Sequence, residues 1–177
     1  QTRELRAKKS IIVTPHDLIA IDKLKEKQKQ AFKVITERIY SGKAGAFFMD
    51  GPGETGKTFL YRTLLADVRS KGFLALATAT SGIAASILPG GRTAHSRFKI
   101  PIDISEGTTC RISKQTSLAT MIREAKLITG DETPMSKKKI VIEALDDLLN
   151  DLMDSTEIFG GKLFSLEEIF DRHFQYF

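Results

Sequence analysis

The chain has 177 residues, 41% of them hydrophobic and 28% charged, a balance that supports one folded domain with a substantial core and argues against a disordered chain. No apolar run approaches the ~18 residues that a membrane span needs, no secretory leader is visible, and one cysteine with three scattered histidines offers neither an internal disulfide nor zinc-ligand spacing. The net charge of +5 hides an asymmetry: residues 1–140 carry 25 basic against 13 acidic side chains, a net of +12, and residues 141–177 carry two against nine, a net of −7. A basic body of this kind attracts polyanions such as nucleic acid, the bland alternative being a solvated charged surface. The chain opens on Gln1, so a fragment is expected, and the lone Cys110 fits a reducing compartment.

Residues 1–15 read as irregular and basic. From about His16 to Tyr40, the apolar residues Leu18, Ile21, Leu24, Phe32, Ile35 and Ile39 recur at roughly helical spacing, and Ser41-Gly42 ends the pattern. AFFMD at 46–50 reads as a buried strand, the glycine-rich 51–56 as a turn, and 57–70 as a helix stopped by Lys71-Gly72. FLALATA at 73–79 is a second buried strand. A short helix over 81–88 follows, with Ser81 as its N-cap, and Pro89-Gly90-Gly91 breaks it. Residues 97–113, with Pro101 and Gly107, read as a loop, 114–125 as a helix and 126–129 as a third strand. An amphipathic helix over 139–153, a fourth strand over 160–166 and a terminal helix over 167–175 complete the pattern. Strands alternating with helices predict an α/β fold with a mainly parallel sheet flanked by helices.

Gly51-Pro52-Gly53-Glu54-Thr55-Gly56-Lys57-Thr58 fits GxxxxGK followed by Ser or Thr. Small residues let the backbone N–H groups of Gly51, Gly53, Thr55 and Gly56 curl around a phosphate, and the following helix offers the same anion its positive end. Lys57 is then placed for the β- and γ-phosphates of ATP, and the Thr58 hydroxyl for Mg2+. The strand before and the helix after are the context this motif requires, against the bland reading of an incidental glycine turn. Asp131 and Glu132, just past the third strand, supply the acidic partners: Asp131 for Mg2+, directly or through water, and Glu132 as the base that orients the attacking water. Without the glycine loop, that pair would read as a surface loop.

With both motifs in place, the chain resembles the petite-integration-frequency DNA helicases, the superfamily 1B motors, and looks closest to the versions carried by plant genomes and their rolling-circle transposons. The resemblance runs from about Leu24 to Lys162, through LKEKQKQAF at 24–32, FFMDGPGETGKTFLYRTLL at 47–65, LATATSGIAASILPGGRTAHSRFKIP at 76–101 and KLITGDETPM at 126–135. It implies a RecA-like P-loop domain, ATP hydrolysis coupled to 5′-to-3′ translocation on single-stranded DNA or DNA junctions, and nuclear roles in repair, recombination and telomere maintenance. It places Gln28 at the glutamine that reads adenine. Thr78, Thr80 and Ser81 would lie near the DNA backbone. His95, Ser96, Arg97 and Phe98 would extend that track, with Phe98 as a stacking surface, the bland alternatives being core packing for Phe98, a hydrogen-bonded structural role for His95 and a solvated helix position for Gln28. It divides the chain into a lead-in over 1–23, the first RecA-like domain over 24–166 and a divergent tail over 167–177, with no second RecA-like domain.

Three departures from the family pattern are legible. Glu54 puts a carboxylate where a small residue is usual, beside the expected triphosphate. Thr129-Gly130 replaces large apolar residues before the acidic pair, and glycine packs nothing in a strand. SLEEIFDRHFQYF at 165–177 stands where a Gly-Asp-x-x-Gln sensor of the γ-phosphate is expected. On this reading the chain alone does not unwind DNA. Its rivals are an inactive remnant that binds ATP or DNA weakly, a small nucleotide kinase, and a plain DNA-binding module resting on the basic body.

Overall fold

Five short strands pair side by side and all point the same way. The computed structural model describes residues 3–50, 56–131 and 138–168. In chain order the strands are β1 (Gly45–Asp50), β2 (Leu74–Ala79), β3 (Arg92–Thr93), β4 (Ala125–Asp131) and β5 (Leu163–Glu168). They form one parallel sheet in the order β1-β5-β4-β2-β3. The helices are α1 (Arg3–Lys9), α2 (Pro15–Ile19), α3 (Glu26–Tyr40), α4 (Lys57–Ser70), α5 (Gly82–Ile87), α6 (Ala94–Phe98), α7 (Ser117–Glu124) and α8 (Lys138–Met153). The α/β, mainly parallel sheet expected from the sequence is the one observed.

Alternation along the strands divides the core into two layers. Ala75, Ala77, Leu127 and Leu163 join Leu60, Tyr61, Leu64, Leu65 and Val68 of α4, with Ile35 and Ile39 of α3. Leu74, Leu76, Ile128 and Phe164 face the opposite way, onto Met121 and Ile122 of α7 and Leu145, Leu148, Leu149 and Leu152 of α8. The α4 and α8 residues recur three and four apart, so each helix presents one apolar stripe. A register shift sets Leu74 against Ala125 but Ala75 against Leu127. The extra residue, Lys126, is exposed and turns Ala125 and Ile128, three apart, onto the same face.

The structure departs from the sequence reading where local hydrogen bonds override periodicity. The expected helix from His16 to Tyr40 is broken into α2, a 3-10 turn over Ala20–Lys23 and α3. Leu24 and Lys25 between them are extended, and the Gln28 side chain accepts from the Lys25 N–H at 2.8 Å, which starts α3 afresh. Residues 1–15 are not wholly irregular: α1 forms, and Thr14 and Asp17 cap α2 reciprocally. The helix read from 114 starts at Ser117, capped by the Thr116 hydroxyl at 3.2 Å from the Ala119 nitrogen. Residues 94–98, read partly as loop, are helical. The last strand begins at Leu163 because Phe159, Gly160 and Gly161 all have positive φ and turn the chain. It runs through Glu167 and Glu168, which the sequence reading had given to a terminal helix; residues 169–175 of that helix lie outside the described residues.

Candidate nucleotide and DNA site

Because every strand is parallel, the carboxyl ends of β1, β2, β4 and β5 share one edge, where α4 and α5 begin. Asp50 at the end of β1 pairs in register with Glu168, and Ala79 at the end of β2 pairs with Asp131. Only β5 separates β1 from β4. This edge of an open α/β sheet is where such folds bind ligands.

Gly56 precedes α4 with φ 79°, a left-handed conformation in which a side chain is strained. It offers no side-chain cap, and the start of α4 turns its positive end to this edge. Lys57 and Thr58 are the first two residues of that helix and are half-buried. Gly51, Gly53, Glu54 and Thr55 lie outside the described residues, as does Glu132. Asp131 closes β4, so the backbone brings it to the edge from which α4 starts.

Gln28 reaches this loop from α3. Its Nε2 donates to the Gly56 carbonyl at 3.1 Å, while its Oε1 holds the Lys25 N–H. A Cβ at position 56 would stand 2.6 Å from that Nε2, so the glutamine and the glycine close on each other. The sequence reading placed Gln28 at the nucleotide; its position beside the loop follows from the start of α3, a feature that helical periodicity alone conceals.

The expected DNA track divides. Ser81 is exposed and caps α5, accepting from the Ala84 N–H at 3.1 Å, and Thr80 is half-buried just past β2. His95 is half-buried and its Nδ1–H donates to the Ile100 carbonyl at 2.8 Å, which fixes its ring. Three residues need correction. Thr78 is buried, and its hydroxyl donates to the Thr129 carbonyl at 2.5 Å, tying β2 to β4 rather than facing a strand of DNA. Phe98 is fully buried with its ring 6.2 Å from that of Phe164, so it packs the core and offers no stacking surface. Arg97 is 1% exposed and donates from one terminal nitrogen to the Ala77 and Gly90 carbonyls, both at 3.3 Å. It braces β2 from inside.

Two buried hydroxyls were missed as a pair. Thr129 and Ser165 face each other in register across β4 and β5, both at 0% exposure, and neither hydroxyl has a hydrogen-bond partner among the described residues. Lys162 follows the Phe159–Gly161 turn; its ammonium donates to the Arg123 carbonyl and to the Ala125 carbonyl at 3.0 Å, and burial pushes its pKa down to about 8.

Among the described residues no three of His, Cys, Asp and Glu gather as a metal cage. The described residues also hold no helix long and apolar enough to cross a membrane.

A family model described as PIF1-like helicase matches residues 23–168. No curated protein sequence matches. Among solved structures, Bacteroides Pif1 bound to single-stranded DNA superposes with a TM-score of 0.66 at 24% identity, covering 82% of this chain and 32% of that one. The Bacteroides enzyme in complex with ADP-AlF3 and single-stranded DNA gives 0.65 at 24% identity over 82% and 32%. Pif1 helicase from Candida albicans gives 0.63 at 24% identity over 82% and 32%. The likeness establishes the fold, and this chain spans about a third of the length of those proteins.

Proposed function

The chain belongs to the PIF1-like helicase family, and from that premise we propose that it supplies the nucleotide-binding half of an ATP-dependent DNA helicase. Lys57 contacts the β- and γ-phosphates, Thr58 and Asp131 hold Mg2+, and Glu132 orients the attacking water. Bound Mg2+ supplies neutralisation of the charge that develops on the phosphates. Gln28 sets the loop and stands on the adenine side. Hydrolysis drives 5′-to-3′ movement on single-stranded DNA, which crosses Thr80, Ser81 and His95. The cellular work is repair, recombination and telomere maintenance in the nucleus.

One observation carries this reading. The left-handed Gly56 opens α4 with Lys57 and Thr58 at an N-terminus that no side chain caps, on the same sheet edge where β4 ends at Asp131. A nucleotide kinase gains nothing from the residues described, whereas the family match favours the helicase.

The test is binding of a fluorescent ATP analogue with Mg2+ to the parent chain, Lys57→Ala and Glu54→Gly. Loss of a charge-assisted contact in Lys57→Ala weakens binding by roughly 10- to 100-fold, and Glu54→Gly tightens it. Equal binding by parent and Lys57→Ala overturns the assignment. A strand-displacement assay of this chain alone gives no unwinding; ATP-dependent unwinding would contradict the half-motor reading. The second reading, a remnant that binds weakly or not at all, is favoured by Thr129-Gly130 in β4, and stands if neither the parent nor Glu54→Gly binds.

A further inference from the structure

Beside the edge strand β3 lies a cavity of about 320 Å³ whose walls are cationic and hydroxylic. Arg92, Lys99 and Arg111 line it with Ser96, Ser113 and Thr116, and no lining residue is acidic. Three cations around one space repel one another, and an anion between them offsets that repulsion. Neither Lys99 nor Arg111 has a hydrogen bond or ion pair among the described residues. The start of α7 adds to the same wall through Thr116 and Leu118, and its first-turn N–H groups favour negative charge.

The backbone at Lys99 is a second observation. It ends α6 with φ 56° and ψ 32°, left-handed, where glycine or asparagine is the easier occupant. The strained residue is thus one that carries a cation to the cavity.

Position identifies the ligand. Arg92 pairs in register with Thr78, one residue before Ala79 and close to Thr80 and Ser81. The cavity therefore continues from the segment assigned to DNA. β1, which leads into the nucleotide loop, is at the other edge of the sheet, four strand spacings or roughly 19 Å away. We propose that this cavity seats one backbone phosphate of single-stranded DNA, with Lys99 and Arg111 as its paired cations. The assignment rests on the DNA-motor reading above and adds an anchor at the edge remote from ATP.

The experiment is fluorescence anisotropy of a labelled oligo-dT, without nucleotide, over about 50–200 mM salt. It compares the parent, Lys99→Asn/Arg111→Gln, and Lys33→Gln/Lys139→Gln, which removes two cations elsewhere. Asparagine suits the left-handed backbone, so the first double variant keeps its fold, as a thermal melt verifies. Its affinity falls roughly 10-fold and its log–log salt slope becomes shallower by about 0.7, the share of one single-strand phosphate. The second double variant retains the parent slope. If Lys99→Asn/Arg111→Gln fails to fold, Lys99→Asn alone shows a slope shallower by part of that ~0.7. Unchanged binding in the cavity variant, or equal losses in both double variants, overturns the cavity assignment and leaves the motor reading intact. A parent chain that binds no DNA overturns both.

Discussion

Leu64, Leu65 and Val68 of α4 are wholly buried among apolar neighbours, whereas Thr129 and Ser165, just as buried in β4 and β5, hold hydroxyls with no partner among the described residues. The first set gains the full benefit of leaving water. Each hydroxyl of the second loses its hydrogen bonds to water and costs on the order of 1–3 kcal/mol. Backbone pairing survives there, since Thr129 stays in register with Ala77 on one side and Ser165 on the other. The helix that presents Lys57 is thus firmly packed, and the strand that presents Asp131 carries a penalty two residues earlier. Phosphate binding and metal holding need not fail together in this chain.

The firm side is the easiest to break. Leu64→Ala should cost about 3 kcal/mol, because a fully buried leucine leaves a cavity. Urea denaturation measures it, and a cost below about 1 kcal/mol would mean that α4 is not the better-held element. Next comes Gly56→Ala, which forces a Cβ into a left-handed site 2.6 Å from the Gln28 Nε2. A loss of about 1–3 kcal/mol is expected. Adding Gln28→Ala recovers the part due to the clash but not the part due to φ, which a double-mutant comparison separates.

On the polar rung the sign reverses. Thr129→Val keeps the shape and removes the unpartnered hydroxyl, so it should stabilise by roughly 1 kcal/mol, and Ser165→Ala somewhat less. Destabilisation by either variant would show that the hydroxyl is satisfied and the contrast false. A pH-dependent effect concerns Lys162, whose pKa falls from 10.5 to about 8 through burial. Between those values the unfolded chain holds a proton that the folded chain has released. This group therefore makes stability rise as pH climbs from about 8 toward 10.5. Melting temperatures of the parent and Lys162→Met across that range test it, the variant lacking that increment.

Much of this was legible in the chain itself. A short apolar strand over 46–50 and a helix opened by Lys57 read correctly because each depends on local spacing; residues 51–55 of the glycine loop lie outside the described residues. Ser81 read as a cap for the same reason. What escaped depends on contacts between distant residues. Phe98 and Arg97 looked like surface candidates beside His95, yet a two-residue edge strand followed by a single helical turn folds them inward under β2. Thr78 carries a hydroxyl that suits DNA as well as it suits a neighbouring strand, and only the β2–β4 register decides. The break before α3 was hidden because Leu24 continues the helical spacing while its backbone is extended. The lead-in helix α1 lacks an apolar stripe to announce it and is held partly from outside, by Lys9 against Glu124 at 2.6 Å.

Tyr61 has one more use. The chain has three tyrosines and no tryptophan, so its ultraviolet emission is tyrosine emission. Tyr61 is fully buried one turn after Lys57. Its quantum yield and anisotropy therefore report on the packing of α4 without any attached dye. Phosphate arriving at the helix start, or α4 shifting against the sheet, is readable by light alone from a residue that solvent quenchers do not reach.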